Sequence, residues 1–147
     1  QEAIHLAETE TARRRCWPAM AQLRPHLSEA EFLAQVERQT GQGYHLAYLE
    51  LEGRVLVVAG LRCFETLAWG PICYVDDLVA IEEIRSRGHG RRMFEWLIAF
   101  ARQAGCRELH LDSGVHRFAA HRFYLTQRME IRSHHFSLML DPPPATG

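Results

Sequence analysis

The stretch Arg85-Ser86-Arg87-Gly88-His89-Gly90-Arg91 lies between an apolar, β-branched run, Pro71 to Ile81, and an amphipathic segment that begins near Gly90. That setting predicts a strand, a short loop and a helix start. The two glycines reach backbone angles that other residues avoid, and they leave the following amides open to close approach. Arg85, Arg87, Arg91 and Arg92 add charge around a helix N-terminus that already carries partial positive charge. Such a loop is suited to cradle phosphate.

Downstream of the loop, Met93, Leu97, Phe100, Ala101 and Ala104 form a helical stripe that Gly105 ends. Arg107 to Leu111 follows as a strand, so strand, helix and strand make a parallel crossover. His116 to Gln127 reads as another helix and Met129 to Leu140 as a last long strand, before the tail Asp141-Pro142-Pro143-Pro144. Upstream, Tyr44 to Leu51, Arg54 to Phe64 and Pro71 to Ile81 form an antiparallel meander, its first turn at Glu52-Gly53. Ser28 and Glu31 make a capping box for a helix that ends near Gly41. Before it, Ala3 to Ala7 is a short strand, and a helix with Cys16, Trp17, Met20 and Leu23 at its spacing is limited by Pro18 and Pro25. An antiparallel half joined to a crossover half predicts an α/β (α+β) mixed sheet with helices on both faces.

At 147 residues the chain is expected to form one domain, 1–147, without staples. Its halves would be 1–70 and 71–140, with 141–147 as a tail. A net charge of −1 gives no bias toward nucleic acid or membranes. There is no lysine, which excludes Schiff-base and lysine general-base chemistry. Cys16, Cys63, Cys73 and Cys106 are far apart and form no CxxC, so they suggest neither a zinc knuckle nor a redox pair. With no signal peptide and no long apolar run, a soluble cytoplasmic protein is expected, as monomer or homodimer.

A dinucleotide site would want a third glycine where Met93 stands, and a Walker loop would want Gly-Lys-Ser/Thr. What the loop resembles is motif A of the GNAT superfamily of N-acetyltransferases: Arg or Gln, two residues, Gly, one residue, Gly or Ala, here Arg85, Gly88 and Gly90. The resemblance extends to Asp77-Leu78-Val79-Ala80, similar to the family's bulged strand, and to Ala119-Ala120-His121-Arg122-Phe123-Tyr124, similar to its motif B helix. Residues 72 to 140 are covered well. Residues 1 to 70 match in the order of elements.

The resemblance implies a centrally split sheet that binds acetyl-CoA. Amides from Arg85 through Ser86, Arg87, Gly88 and His89 to Gly90, with Arg91 beside them, would hold the pyrophosphate. The strand around Leu78, Val79 and Ala80 would offer its backbone to the pantetheine arm, an N–H near Val79 or Ala80 facing the acetyl oxygen. Tyr124 would be the general acid toward the departing thiolate. Many members carry Asn where Arg117 stands and Gly where Arg128 stands, so the turn into the last strand is expected to differ here.

The available general bases are Asp76, Asp77, Glu82 and Glu83. Asp77 is preferred, and because Asp76 and Asp77 point to opposite faces of a regular strand, at most one should line the cleft. No metal is expected: His116 and His121 are five apart on a helix, and His134 and His135 alternate across a strand. The expected activity is acetyl transfer from acetyl-CoA to a primary amine of a small molecule or peptide, by direct attack. A non-catalytic acyl-CoA sensor or scaffold is the alternative; a nucleic-acid module fits poorly with neutral charge.

Overall fold

Helix α1 (Glu10–Leu23) begins where Thr9 accepts a hydrogen bond from the Ala12 amide at 3.1 Å, the side-chain cap that helix starts need. The expectation that Pro18 limits it is not met, because the helix runs through Pro18. Cys16, Ala19 and Met20 around it are buried, and their packing outweighs the missing backbone donor. It stops at Arg24, whose angles leave the helical region, which Pro25 disfavours for the residue before it. Helix α2 (Glu29–Thr40) opens on the full Ser28/Glu31 capping box.

The structure, a computed structural model, describes residues 1–85 and 87–141; Ser86 and 142–147 lie outside the described residues. Strands β1 (Glu2–Leu6), β2 (Tyr44–Leu51), β3 (Arg54–Thr66), β4 (Gly70–Ala80) and β5 (Glu108–Leu111) form one sheet in that order. β1 to β4 pair antiparallel and β5 runs parallel to β4. Helix α3 (His89–Gln103) makes the crossover. Glu52 and Gly53 both have positive φ, at 51° and 79°, as a type I′ hairpin turn requires.

Helices cover both faces. Tyr44 on β2 turns its hydroxyl to Asp77, which also holds Arg24 at the end of α1. His45, the next residue, points the other way and meets Phe100 of α3 edge-on at 5.6 Å. Because neighbouring strand residues face opposite sides, α1 and α3 flank the sheet. Leu56, Val57, Val58 and Ala59 in β3 are buried in succession, the pattern of a strand covered twice.

The sheet and its first three helices form one compact unit, Gln1–Leu111, and a second begins at Asp112. The second contains α4 (Phe118–Thr126). The strand expected over Met129–Leu140 is not formed: no ladder includes these residues, and 130–141 are exposed throughout. Their apolar positions change parity between Ile131 and Phe136, so neither face of an isolated strand is a continuous stripe.

Candidate functional site

The site begins with a mismatch of strand lengths. β5 pairs with β4 only from Ile72 to Val75, yet β4 continues to Ala80. Residues Asp76–Ala80 therefore present a free backbone edge within the sheet unit. The Ile81 amide donates to the Leu56 carbonyl at 2.9 Å. Antiparallel pairs alternate between bonded and non-bonded, so Val79 and Asp77 also bond to β3, while the N–H and C=O of Leu78 and Ala80 face the free edge. Of the two expected amide donors, Ala80 turns its N–H to the free edge, while the Val79 amide turns to Val58 and its side chain is buried. The Leu78 amide also faces the free edge.

A bulge opens this strand. Gly60 lies opposite Asp77 and Leu61 opposite Val75, leaving Asp76 without a partner residue. The extra residue puts consecutive side chains on one face, which overturns the expectation for Asp76 and Asp77. Arg62 holds Asp76 through two bonds, at 2.8 and 2.9 Å. Asp77 accepts from Arg24 at 3.0 Å and from the Tyr44 hydroxyl at 2.8 Å. Burial first, then the charge of Asp77, pushes the Tyr44 phenol well above its usual 10.0.

Gly60 makes the network possible. A Cβ there would stand 1.8 Å from the Tyr44 oxygen and 2.7 Å from Asp77 Oδ2. Sequence reasoning missed Gly60, Tyr44, Arg24 and Arg62; the one available signal was a lone glycine inside a strand, which marks a bulge or a close approach.

After a 3₁₀ turn (Glu82–Ile84), Arg85 donates from Nε to the Ala80 carbonyl at 3.2 Å. Gly88 has φ 88° and no atom near where a Cβ would point. No side chain caps α3, whose first helical bond runs from Arg92 to Gly88, so the amides of His89, Gly90 and Arg91 are unclaimed within the helix. Arg87 is exposed, Arg91 pairs with Glu95, and Ser86 lies outside the described residues. Glu2 of β1 binds His89 at 2.7 Å and also Arg92, holding the first turn of α3 against the sheet edge.

In the second unit, Tyr124 is half-buried on α4, and burial raises its phenol above 10.0, opposed by Arg117. The amide of Met129 donates to the Tyr124 carbonyl at 3.1 Å and that of Arg128 to the Leu125 carbonyl at 3.0 Å. With Arg128 at φ 68°, this is a Schellman turn with arginine in the left-handed position. The expectation that Arg128 changes the turn is corrected: arginine bears the geometry that glycine favours.

Three cysteines gather despite their spacing. Cys63 stands opposite Cys73, and after burial its proximity helps raise the thiols of both Cys73 and Cys106. All four cysteines are free thiols. Among the described residues, no group of three or more His, Cys, Asp or Glu is placed to hold a metal ion. His121 is bonded to the Gly114 carbonyl and His135 lies 3.6 Å from Asp112.

An acyltransferase is the class that a mixed sheet parted beside β4 and flanked by helices defines. The model of the acetyltransferase (GNAT) family matches residues 6–129, and the chain belongs to that family. It is 28% identical over 109 residues to the uncharacterized N-acetyltransferase YhdJ of Bacillus subtilis (strain 168), covering 74% of this chain and 77% of that protein. Solved structures share the fold at lower identity. The aminoglycoside N-acetyltransferase AAC(6')-Iy, in complex with CoA, superposes with a TM-score of 0.85 at 14% identity, over 95% of this chain and 94% of that one. The glucosamine-6-phosphate N-acetyltransferase of Arabidopsis thaliana gives 0.75 at 20% identity, over 96% and 99%.

Proposed function

We propose that the protein moves the acetyl group of acetyl-CoA to a primary amine, of a small molecule or a peptide, by direct attack. The observation that carries this reading is the free edge of β4 at Leu78 and Ala80, running into a helix start with uncapped amides. The residues present fit the coenzyme: Gly88 leaves room for close approach, Arg87 is exposed, and the amides of His89, Gly90 and Arg91 would hold a pyrophosphate, whereas the expected Arg85 amide is taken by the Glu82 carbonyl at 3.4 Å. Two solved relatives are named for amine-bearing acceptors, an aminoglycoside and glucosamine-6-phosphate.

Bound there, acetyl-CoA supplies a thioester with an electrophilic carbonyl. The amides of Leu78 and Ala80 donate hydrogen bonds along that edge, where negative charge grows as the amine attacks. Tyr124 gives its proton to the departing sulfur, and its raised pKa keeps the phenol protonated at neutral pH. Asp77 orients the incoming ammonium and takes its proton, directly or through water. Each of its oxygens keeps a lone pair beyond those used by Arg24 and Tyr44. Direct attack is supported by Cys73 being buried with its thiol pushed up, which makes it a poor acyl carrier.

Thermal unfolding with acetyl-CoA, then thiol release across a panel of amines, tests the reading. Stabilisation together with release from at least one amine is expected. No stabilisation at saturating acetyl-CoA would remove the coenzyme site, and stabilisation without release from any amine would leave a binding domain.

A further inference from the structure

The bulge in β4 gathers two carboxylates and two guanidiniums on the α1 face of the sheet. Arg24, at the end of α1, donates to Asp77 at 3.0 Å and to the Asp76 carbonyl at 3.1 Å. Arg62 of β3 forks onto the Asp76 carboxylate, and its guanidinium lies over the rings of Phe64 and Tyr74, 5.2 Å from each centroid. Stacking of that kind restrains the guanidinium plane and leaves its edge donors free. Nη1 of both arginines has no partner among the described residues. The two arginine side chains are 41% and 39% exposed, and every group in the cluster belongs to the unit Gln1–Leu111.

This balance of charge discriminates between amines. Both carboxylates are already claimed by guanidiniums. An amine that brings only its ammonium to Asp77 meets the charge of Arg24 on the same carboxylate and that of Arg62 on the neighbouring strand, and like charges this close repel in a half-buried site. A polycation meets the same repulsion several times over. Anionic oxygens near the amine reverse the sign, because they accept from the unclaimed N–H groups of the arginines, whose planar fork suits carboxylate and phosphate.

We propose that Arg62 and Arg24 determine acceptor specificity, and that the acceptor is a zwitterion, a primary amine bearing a carboxylate or phosphate. Its ammonium sits on Asp77 and its anion on Nη1 of the two arginines. Gly60, opposite Asp77, and Arg62 are neighbours on one face of β3, so the amine and the anion lie up to about 7 Å apart. The assignment rests on the acetyltransferase reading and gives its acceptor class.

Calorimetry on the chain saturated with CoA reads acceptor binding, and thiol release with acetyl-CoA reads turnover. The matched acceptors are γ-aminobutyrate against its amide and 2-aminoethyl phosphate against ethanolamine, with spermidine as the polycation. The anionic member of at least one pair should be favoured by about 10- to 100-fold in both measurements, the worth of hydrogen bonds to a charged group, and spermidine should rank last. A preference confined to one pair identifies the anion. Arg62→Gln should bring the favoured ratio close to one, whereas Asp76→Asn, which frees Arg62 of its carboxylate, should widen it. If Arg62→Gln does not fold, the direction of the Asp76→Asn shift decides. Ratios near one in the wild type, a preference for spermidine, or a ratio that Asp76→Asn leaves unchanged would overturn the proposal with the coenzyme site intact. Arg62-dependent binding of a zwitterion without thiol release would remove acetyl transfer and leave the acceptor site standing.

Discussion

Gly60 is the residue on which the geometry of the parted strand depends. Its missing side chain lets the Tyr44 hydroxyl reach Asp77 across the bulge, and Tyr44 is only 4% exposed. A methyl group there cannot be relieved by swinging a surface side chain away. Gly60→Ala should cost about 1–3 kcal/mol in urea unfolding, as overpacking does, and should lower turnover by shifting Asp77 and the strand beyond it. Normal stability would show that Tyr44 relaxes freely. Tyr124 calls for the opposite outcome. Tyr124→Phe should leave thermal stability and acetyl-CoA affinity nearly unchanged while turnover falls by about 10²-fold or more, the scale of a lost general acid; unchanged turnover would remove Tyr124 from the mechanism. The sequence made Tyr124 visible because it ends a recognisable run, Ala119 to Phe123. Gly60, Tyr44 and Arg24 were hidden because their roles exist only between elements, 16 to 53 positions apart in the chain.

Among the elements, local signals were legible wherever the chain interacts with near neighbours. The Ser28 capping box, the Glu52-Gly53 turn and the Gly105 stop all appear as read, because each is settled within a few residues. Helix α1 ran through Pro18 because burial on either side outweighs a local rule. The end of α4 shows the same competition in the other direction. Arg128 sits at φ 68° in a Schellman turn whose longer bond lands on the Tyr124 carbonyl. A side chain costs about 1 kcal/mol in that conformation relative to glycine. Arg128→Gly should therefore stabilise the helix end by about that amount, measured as a higher midpoint in denaturant, with activity retained. Loss of activity would mean that the Arg128 side chain itself is used. The last segment, 129–140, was read as a strand from composition, and no ladder holds it within one chain. A strand is made by its partner, and sequence patterning names the residues that want one without naming the edge that supplies it.

For the molecule as a whole, the buried thiols set how stability depends on pH. Burial pushes Cys16 from 9.0 up to about 12, and it raises Cys106 to about 11 and Cys73 further still. In each case the folded state favours the protonated thiol. Below pH 9 the thiols are protonated in both folded and unfolded chains, so the whole contribution is present. Between pH 9 and the folded value the unfolded chain releases its proton and the folded one does not, so stability falls as pH rises. For Cys16, which is fully buried, the slope is about 1.4 kcal/mol per pH unit until the folded thiol titrates too. Tyr44, held above 10.0 by burial and Asp77, steepens the decline beyond pH 10 in the same sense. These groups should thus leave stability unchanged up to about pH 9 and lower it progressively above that. Cys16→Ala separates the parts: it should cost about 1–2 kcal/mol at neutral pH through the small cavity it leaves, yet flatten the alkaline limb by one thiol's slope. Urea unfolding of both proteins at half-unit steps from pH 7 to 11 measures this. Parallel curves would show that Cys16 ionises as readily in the folded chain as in the unfolded one.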